Sequence, residues 1–401
     1  MPLHVPSLLV VLAASVAAPL IGELTRRFGL SIVVLELALG VAIGPQGLGW
    51  AAVEGSVPTV ASIGMVLLFF LAGMEIELGA VRGRPIKIAL AGWVACVAGS
   101  FAMALVANRL GMFSAWVVVG IALSTTALGV LVPVLRDAGT LDSTIGRHAL
   151  AVGAVGELGP ILLMSFLLSR QHDTGLQSVL VMGFLAIVLV VAWALVRGVA
   201  DPPVLRLLRR TMTQASQLPV RVAILLLASL VVTAEYLGID FALGALAAGM
   251  LVNLATHDMR SDLLHQKLDA IGFGFLVPVF FITSGMKLDV ASVFGSIHGL
   301  LLTATLLAAL LAARLPVMLL AGRFFSARES VALGLYGATT LSLIVAITDI
   351  AAKDGVMLPG EAGPLVIAGV LSVVLFPIAA SGLLGTRAAS RAATYADQDG
   401  L

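Results

Sequence analysis

Thirteen apolar segments, most of them about 20 residues long, follow one another along this chain with only short polar joints between them. A helix needs roughly 20 apolar residues to cross the ~30 Å hydrocarbon core of a bilayer, so the segments read as membrane spans. They lie near 5–23, 30–49, 57–76, 86–108, 114–134, 147–169, 176–198, 219–236, 238–253, 267–287, 297–321, 327–350 and 361–384. The second and ninth are short and the joint at 236–239 is tight, so twelve spans is an alternative count. Only helices and closed barrels satisfy their backbone groups inside lipid. Three tyrosines in 401 residues do not supply the aromatic girdles of a barrel. The fold class is therefore an all-α polytopic membrane protein.

Composition excludes several other classes. The chain is 60% apolar and 11% charged, whereas soluble domains are about a quarter charged. A single cysteine, Cys96, excludes a disulfide framework or a thiolate metal centre. A net charge of +1 leaves no basic face for nucleic acid. There is no HExxH, GxSxG or Walker-type motif, so neither an intramembrane hydrolase nor an ATP-driven pump is indicated, and no nucleotide or other cofactor is expected. The six histidines have no metal-ligand spacing.

Charge sorting gives an orientation. Of the 23 Lys and Arg residues, 18 fall on the side reached after the first helix, among them Arg26, Arg27, Arg82, Arg206 and Arg387. Four (Arg109, Arg170, Lys287, Lys353) fall opposite, and Arg314 lies within a span. Cytoplasmic loops carry the basic excess. The expectation is an N-terminus outside and a C-terminus inside the cell's inner (plasma) membrane, with thirteen spans. No Lys or Arg precedes the first apolar run, so it reads as a span and not as a cleaved signal. Residues 1–386 read as one transmembrane domain, with a polar cytoplasmic linker from Arg197 to Gln217 and a short cytoplasmic tail over 387–401.

Gly120-Ile-Ala-Leu-Ser124-Thr125-Thr126 returns loosely as Gly334-Leu-Tyr-Gly-Ala-Thr339-Thr340. The Thr pairs stand at one offset from their glycines, near the middle of the fifth and twelfth spans. Those two spans are seven places apart in the order of helices, an odd offset, so the segments run in opposite directions. This is the arithmetic of two inverted repeats of six helices (about 5–169 and 219–384) around a linker helix at about 176–198. Polar interruptions at matching places in inverted halves point to a transporter's substrate site. The plainer alternative is that the hydroxyls bond back to the preceding turn of a helix.

A charge at the membrane midplane costs at least ~3 kcal/mol on insertion scales. Glu157, in Ala154-Val-Gly-Glu-Leu-Gly-Pro160 halfway along the sixth span, is the clearest case and is expected to carry the ion or proton. Arg314, in the eleventh span, either snorkels toward the cytoplasmic face or pairs with a core carboxylate, Glu157 being the candidate. Glu36 in the second span either lines an access path or bonds across helices. Asp240 reads as the N-cap of the ninth span, and Asp349 as a solvated residue closing the twelfth.

Three stretches carry a family resemblance. Leu39-Gly-Val-Ala-Ile-Gly-Pro-Gln-Gly-Leu-Gly49 resembles the end of the second helix in the monovalent cation:proton antiporter-2 family, and Leu67-Leu-Phe-Phe-Leu-Ala-Gly-Met-Glu-Ile-Glu77 its third helix. Gly272-Phe-Gly-Phe-Leu-Val-Pro-Val-Phe-Phe-Ile-Thr-Ser-Gly-Met-Lys-Leu-Asp289 resembles its most distinctive stretch. The resemblance covers about residues 8–385. It implies two inverted bundles, a dimer-interface domain (hence a homodimer), a mobile core domain, and fifth and twelfth helices that cross at unwound segments. It places the ion-carrying acid where this chain has Glu157 and the basic partner where it has Arg314. The family often has Asp preceded by Asn, Asp or Gln; here Gly156-Glu157 stands instead. Several members have Arg-Gly-Glu where this chain has Thr340-Leu-Ser342, and the nucleotide-binding domain of potassium-efflux relatives has no counterpart in these residues.

The mechanism expected is exchange of a monovalent cation, sodium ahead of potassium or lithium, for a proton. One carboxylate holds either ion but not both, which couples the fluxes one for one and without net charge. Oxygens of Ser124, Thr125, Thr126, Thr339 and Thr340 are expected to replace the cation's hydration shell, since hard cations take oxygen ligands. Arg314→Ala is expected to lower activity or shift its pH profile more than it harms folding. The rivals are a gated monovalent cation channel or a potassium-efflux protein on the same scaffold and a sodium-coupled carrier of organic solutes, with an intramembrane enzyme a distant third.

Overall fold

The computed structural model describes residues 7–24, 31–75, 84–128, 143–167, 174–196, 216–256 and 261–384, together with 131, 132, 135, 140 and 141. Among them every regular element is helical. The helices are α1 (Ser7–Leu24), α2 (Ile32–Ile43), α3 (Val57–Glu75), α4 (Arg84–Arg109), α5 (Trp116–Leu123), α6 (Thr144–Leu167) and α7 (Thr174–Val196). They continue as α8 (Leu218–Tyr236), α9 (Phe241–Thr256) and α10, which runs through Ser261–Ile271, a π-helical turn at Gly272–Leu276, and Val277–Lys287. The last are α11 (Ile297–Ala312 and Leu315–Ala321), α12 (Ala327–Ala338 and Ser342–Lys353) and α13 (Pro359–Leu384). Nine candidate spans among the described residues are long and apolar enough to cross a membrane, and α2, α9 and the Met182–Ala194 part of α7 are shorter apolar helices. Residues 197–215 of the expected Arg197–Gln217 linker and the tail over 387–401 lie outside the described residues.

Among the described residues, the joint after Tyr236 separates α8 from α9, which makes the helices thirteen and not twelve. Gly238 turns the chain at φ +69°, a left-handed conformation that glycine adopts without steric cost. Asp240 then accepts the Ala242 N–H at 2.8 Å, which is the cap expected of it. Asp349 departs from expectation: its carboxylate lies 2.7 Å from Lys353 Nζ and its side chain is only 10% exposed. One helical turn of spacing brings the pair together.

The helices form two compact units, and neither follows a repeat boundary. The first holds α1–α3, α7–α10 and the end of α6 from Ile161. Its helices pack at small residues: a Cβ on Gly40 of α2 would lie 2.1 Å from the Ile282 carbonyl oxygen, and one on Gly285 of α10 would lie 2.2 Å from that of Leu37. Lipid offers little apolar driving force between spans, so such backbone approach supplies the packing. Glu36 sits on α2 in this unit, 4% exposed. The second unit holds α4, α5, α6 as far as Pro160, and α11–α13. Ser124, Thr125, Thr126, Glu157, Arg314, Thr339 and Thr340 all belong to it.

Candidate ion site

Two helices of the second unit break where the Thr pairs stand. α5 stops at Leu123, and Ser124–Ala127 leave the helix. α12 begins with a capping box, Ser326 Oγ and Glu329 each bonding the other's backbone, and stops at Ala338. It resumes at Ser342. The unwound stretches bond to each other. Thr125 Oγ1 and Thr340 Oγ1 are 2.7 Å apart, the Ala127 N–H donates to the Thr339 carbonyl at 2.9 Å, and Thr126 Oγ1 donates to the Gly337 carbonyl at 2.6 Å. The plainer reading of the Thr pairs also applies in part. Thr125 Oγ1 reaches the Ala122 carbonyl at 2.7 Å, and Thr339 Oγ1 that of Leu335 at 3.0 Å.

Glu157 enters this crossing from α6. Its Oε2 accepts the Leu128 N–H at 3.0 Å, and the residue is 4% exposed. Pro160 lies within α6 and has no N–H, so the carbonyl four residues earlier, that of Gly156, has no helical donor. The Thr126 N–H takes it at 2.8 Å. Gly156 permits the approach, because a Cβ there would lie 2.4 Å from Thr126 Oγ1. The residue before the carboxylate is thus pinned to the fifth helix, and the carboxylate itself to the residue two further on.

Arg314 occupies a break in α11 that the sequence reading had placed inside a continuous span. Pro316 follows it and removes another helical donor. The guanidinium is 1% exposed, so it does not snorkel to water. Its Nε donates to the Gly337 carbonyl at 2.8 Å and Nη1 to the Leu123 carbonyl at 3.0 Å. Nη2 donates to the Thr125 carbonyl and lies 3.5 Å from Thr126 Oγ1. These bonds run to the C-terminal ends of both broken half-helices, where carbonyls lack donors and the dipole is negative. Thr126 thus lies between Arg314 and Gly156, the residue before Glu157.

Two further residues hold the crossing and were not singled out from sequence. Ser372 of α13 accepts the Thr340 N–H at 3.1 Å and donates to the Thr340 carbonyl at 2.8 Å. Trp93 of α4 donates its indole N–H to the Ser124 carbonyl at 3.2 Å. The available signal was one lone Ser and one lone Trp inside apolar spans. Glu36 belongs to the other unit and takes no part in these hydrogen bonds. The Ser124 hydroxyl bonds back to the Ile121 carbonyl at 2.7 Å. Among the described residues no group of His, Cys, Asp and Glu could hold a resident metal.

Comparison with known proteins adds a lineage to this geometry. Residues 11–385 match the sodium/hydrogen exchanger transmembrane family. The chain is 30% identical over 395 residues to YjbQ of Bacillus subtilis, a protein named as a Na(+)/H(+) antiporter, covering 93% of this chain and 62% of that protein. It thus spans less than two thirds of that relative's length. It is 28% identical over 277 residues to the Na(+)/H(+)-K(+) antiporter GerN of Bacillus cereus, covering 67% and 68%. In fold it resembles the sodium proton antiporter MjNhaP1 of Methanocaldococcus jannaschii, with a TM-score of 0.67 at 16% identity, over 95% of this chain and 97% of that one.

Proposed function

Because the chain belongs to the sodium/hydrogen exchanger transmembrane family, we propose that this multi-pass membrane protein exchanges a monovalent cation for a proton, with Glu157 as the carrier of both. It is a secondary transporter and not an enzyme. Sodium is the first cation to test, since the relatives YjbQ and GerN carry it in their names; potassium and lithium come next. The observation that carries the reading is the buried Glu157 carboxylate at the crossing of two unwound helices. A carboxylate there binds a proton or a small cation in turn, and alternating access opens it to one side at a time. The hydroxyls of Ser124, Thr125, Thr126, Thr339 and Thr340 supply the nearby oxygens; those turned toward carbonyls keep lone pairs for a cation.

The fixed charge of Arg314 stays with the protein in both half-cycles, so it adds no net transport of charge. The exchange is one cation for one proton and electroneutral. A homodimer in the plasma membrane, with the N-terminus outside and the C-terminus in the cytoplasm, completes the proposal. The second reading is a gated cation channel, which the same oxygen-lined crossing would serve.

The test is proton movement in inverted vesicles with an acidified lumen, to which sodium, lithium, potassium or choline is added. Alkalinisation of the lumen by one or more of the alkali cations, lost in Glu157→Gln at matched expression, is the expected result. A response that survives the substitution removes Glu157 as carrier. A cation conductance without proton counterflow turns the reading to a channel, and a current that scales with voltage rules out electroneutral exchange.

A further inference from the structure

The second unit contains a cavity of about 390 Å³ between α4, α5 and α11, which touches the polar crossing only at Leu123 and has no assigned role. Its wall is apolar. The one hydroxyl on it, that of Thr305, is already given to the Leu301 carbonyl at 2.8 Å. The floor is buried, with Val119 and Leu123 each 1% exposed and Leu306 3%, whereas Val106 and Leu110 on the rim are 59% and 72% exposed. Water would find no hydrogen-bond partners in it, and apolar cavities of this kind accept apolar guests.

Shape and charge select the occupant. Along α4 the cavity runs from Ala102 to Leu110, about 12 Å at 1.5 Å per residue. One leaflet of hydrocarbon is about 15 Å deep. The long axis therefore follows a lipid tail from the headgroup level toward the midplane. At the shallow end the chain is held in a built turn: Gly111 adopts φ +72°, Asn108 Nδ2 donates to the Phe113 carbonyl at 2.7 Å, and Ser114 bonds Glu361. Arg109 adjoins Leu110 of the rim without lining the cavity itself; it is exposed and, among the described residues, its side chain makes no hydrogen bond or ion pair. A cation next to the mouth of an apolar slot matches a phosphate at the head of its acyl chain.

We infer that this cavity is a binding site for one acyl chain of an anionic glycerophospholipid, whose headgroup sits at Arg109. The site reaches the crossing through its floor. Leu123 lines it and offers its carbonyl to Arg314, while Ala309 lines it one turn before the break that presents Arg314. A bound chain thus props both partners of the Arg314–Leu123 bond.

The experiment uses the whole chain in phosphatidylcholine vesicles containing phosphatidylglycerol with a photoactivatable group, either near the carboxyl end or at the tip of one acyl chain. Tip-labelled lipid is expected to modify the buried Val119, Leu123 and Leu306 in preference to the lipid-exposed Val94 and Leu319. The other probe is expected to modify Leu110 and Met112. Filling the cavity with Ala107→Phe or Ala309→Phe removes the tip labelling, and Arg109→Gln lowers the preference for phosphatidylglycerol over phosphatidylcholine by about fivefold. Labelling of the wild type spread evenly over all exposed apolar faces, with none on the buried floor, overturns the site whether or not the filled variants fold. An unchanged lipid preference in Arg109→Gln overturns the headgroup assignment.

Discussion

Thr126 and Gly156 are bonded backbone to backbone, N–H to carbonyl, at 2.8 Å. The bond exists because Pro160, four residues after Gly156, contributes no helical N–H. A proline in one helix thus makes the attachment point for the unwound stretch of another, next to the carboxylate.

Gly156→Ala tests the closeness of that attachment. Its Cβ would meet Thr126 Oγ1 at 2.4 Å and Thr126 Cβ at 2.7 Å, so Thr126 must move. The expected cost is about 1–3 kcal/mol, as for other overpacked sites, read from thermal unfolding in detergent. Pro160→Ala should return a helical donor to the Gly156 carbonyl, and faster hydrogen exchange at the Thr126 amide would report its release.

For Arg314, the geometry sets a folding cost beside the loss of activity, or shift in its pH profile, that the sequence leads one to expect of alanine. The guanidinium satisfies carbonyls of Leu123, Thr125 and Gly337, spread over two broken helices. Hydrogen bonds to charged groups contribute about 1.5–3 kcal/mol each. Arg314→Ala is expected to destabilise the chain strongly. Arg314→Lys, a point charge without the planar fork, should recover only part of the loss. Unfolding midpoints of both variants decide this, and a wild-type midpoint in Arg314→Ala would overturn it.

Ser372→Ala should release the Thr340 segment without touching the carboxylate. It removes the acceptor for the Thr340 N–H and the donor to its carbonyl. A cost of about 1–3 kcal/mol is expected, because buried backbone groups are left unsatisfied. Transport at matched protein level should fall less than it does in Glu157→Gln.

Glu157→Asp keeps the charge but shortens the side chain by about 1.5 Å, beyond reach of the Leu128 N–H that now lies 3.0 Å away. The expected outcome is a folded protein with reduced cation-triggered proton movement, against none in Glu157→Gln. Equal transport in Asp and Glu forms would show that the Leu128 contact has no bearing on the cycle.

The thirteen spans were legible because bilayer thickness imposes a length on every helix, and even the tight joint at Gly238 and Asp240 carried its turn and cap residues. The Thr pairs and Glu157 could be read for a related reason: polar groups at that depth need an explanation. Grouping into units could not be read, since partners are chosen by close backbone approach, such as Gly40 against Ile282, across more than two hundred residues. Ser372 and Trp93 were missed because one small hydroxyl or one indole in an apolar helix looks like ordinary packing. The break at Arg314 had a signal in Pro316, but a membrane helix also tolerates proline without breaking.

The grip of Arg314 has a consequence for synthesis. Its bond to Leu123 spans 191 residues, and that of Thr126 to Gly337 spans 211. When the ribosome has delivered α5, neither partner has been made. The broken end of α5 must therefore wait for the arrival of α11 and α12 with polar backbone uncovered, sheltered by water, lipid headgroups or the insertion machinery. The final third of the chain acts as the fastener of the first, and a nascent protein halted before Arg314 is left with an open seam.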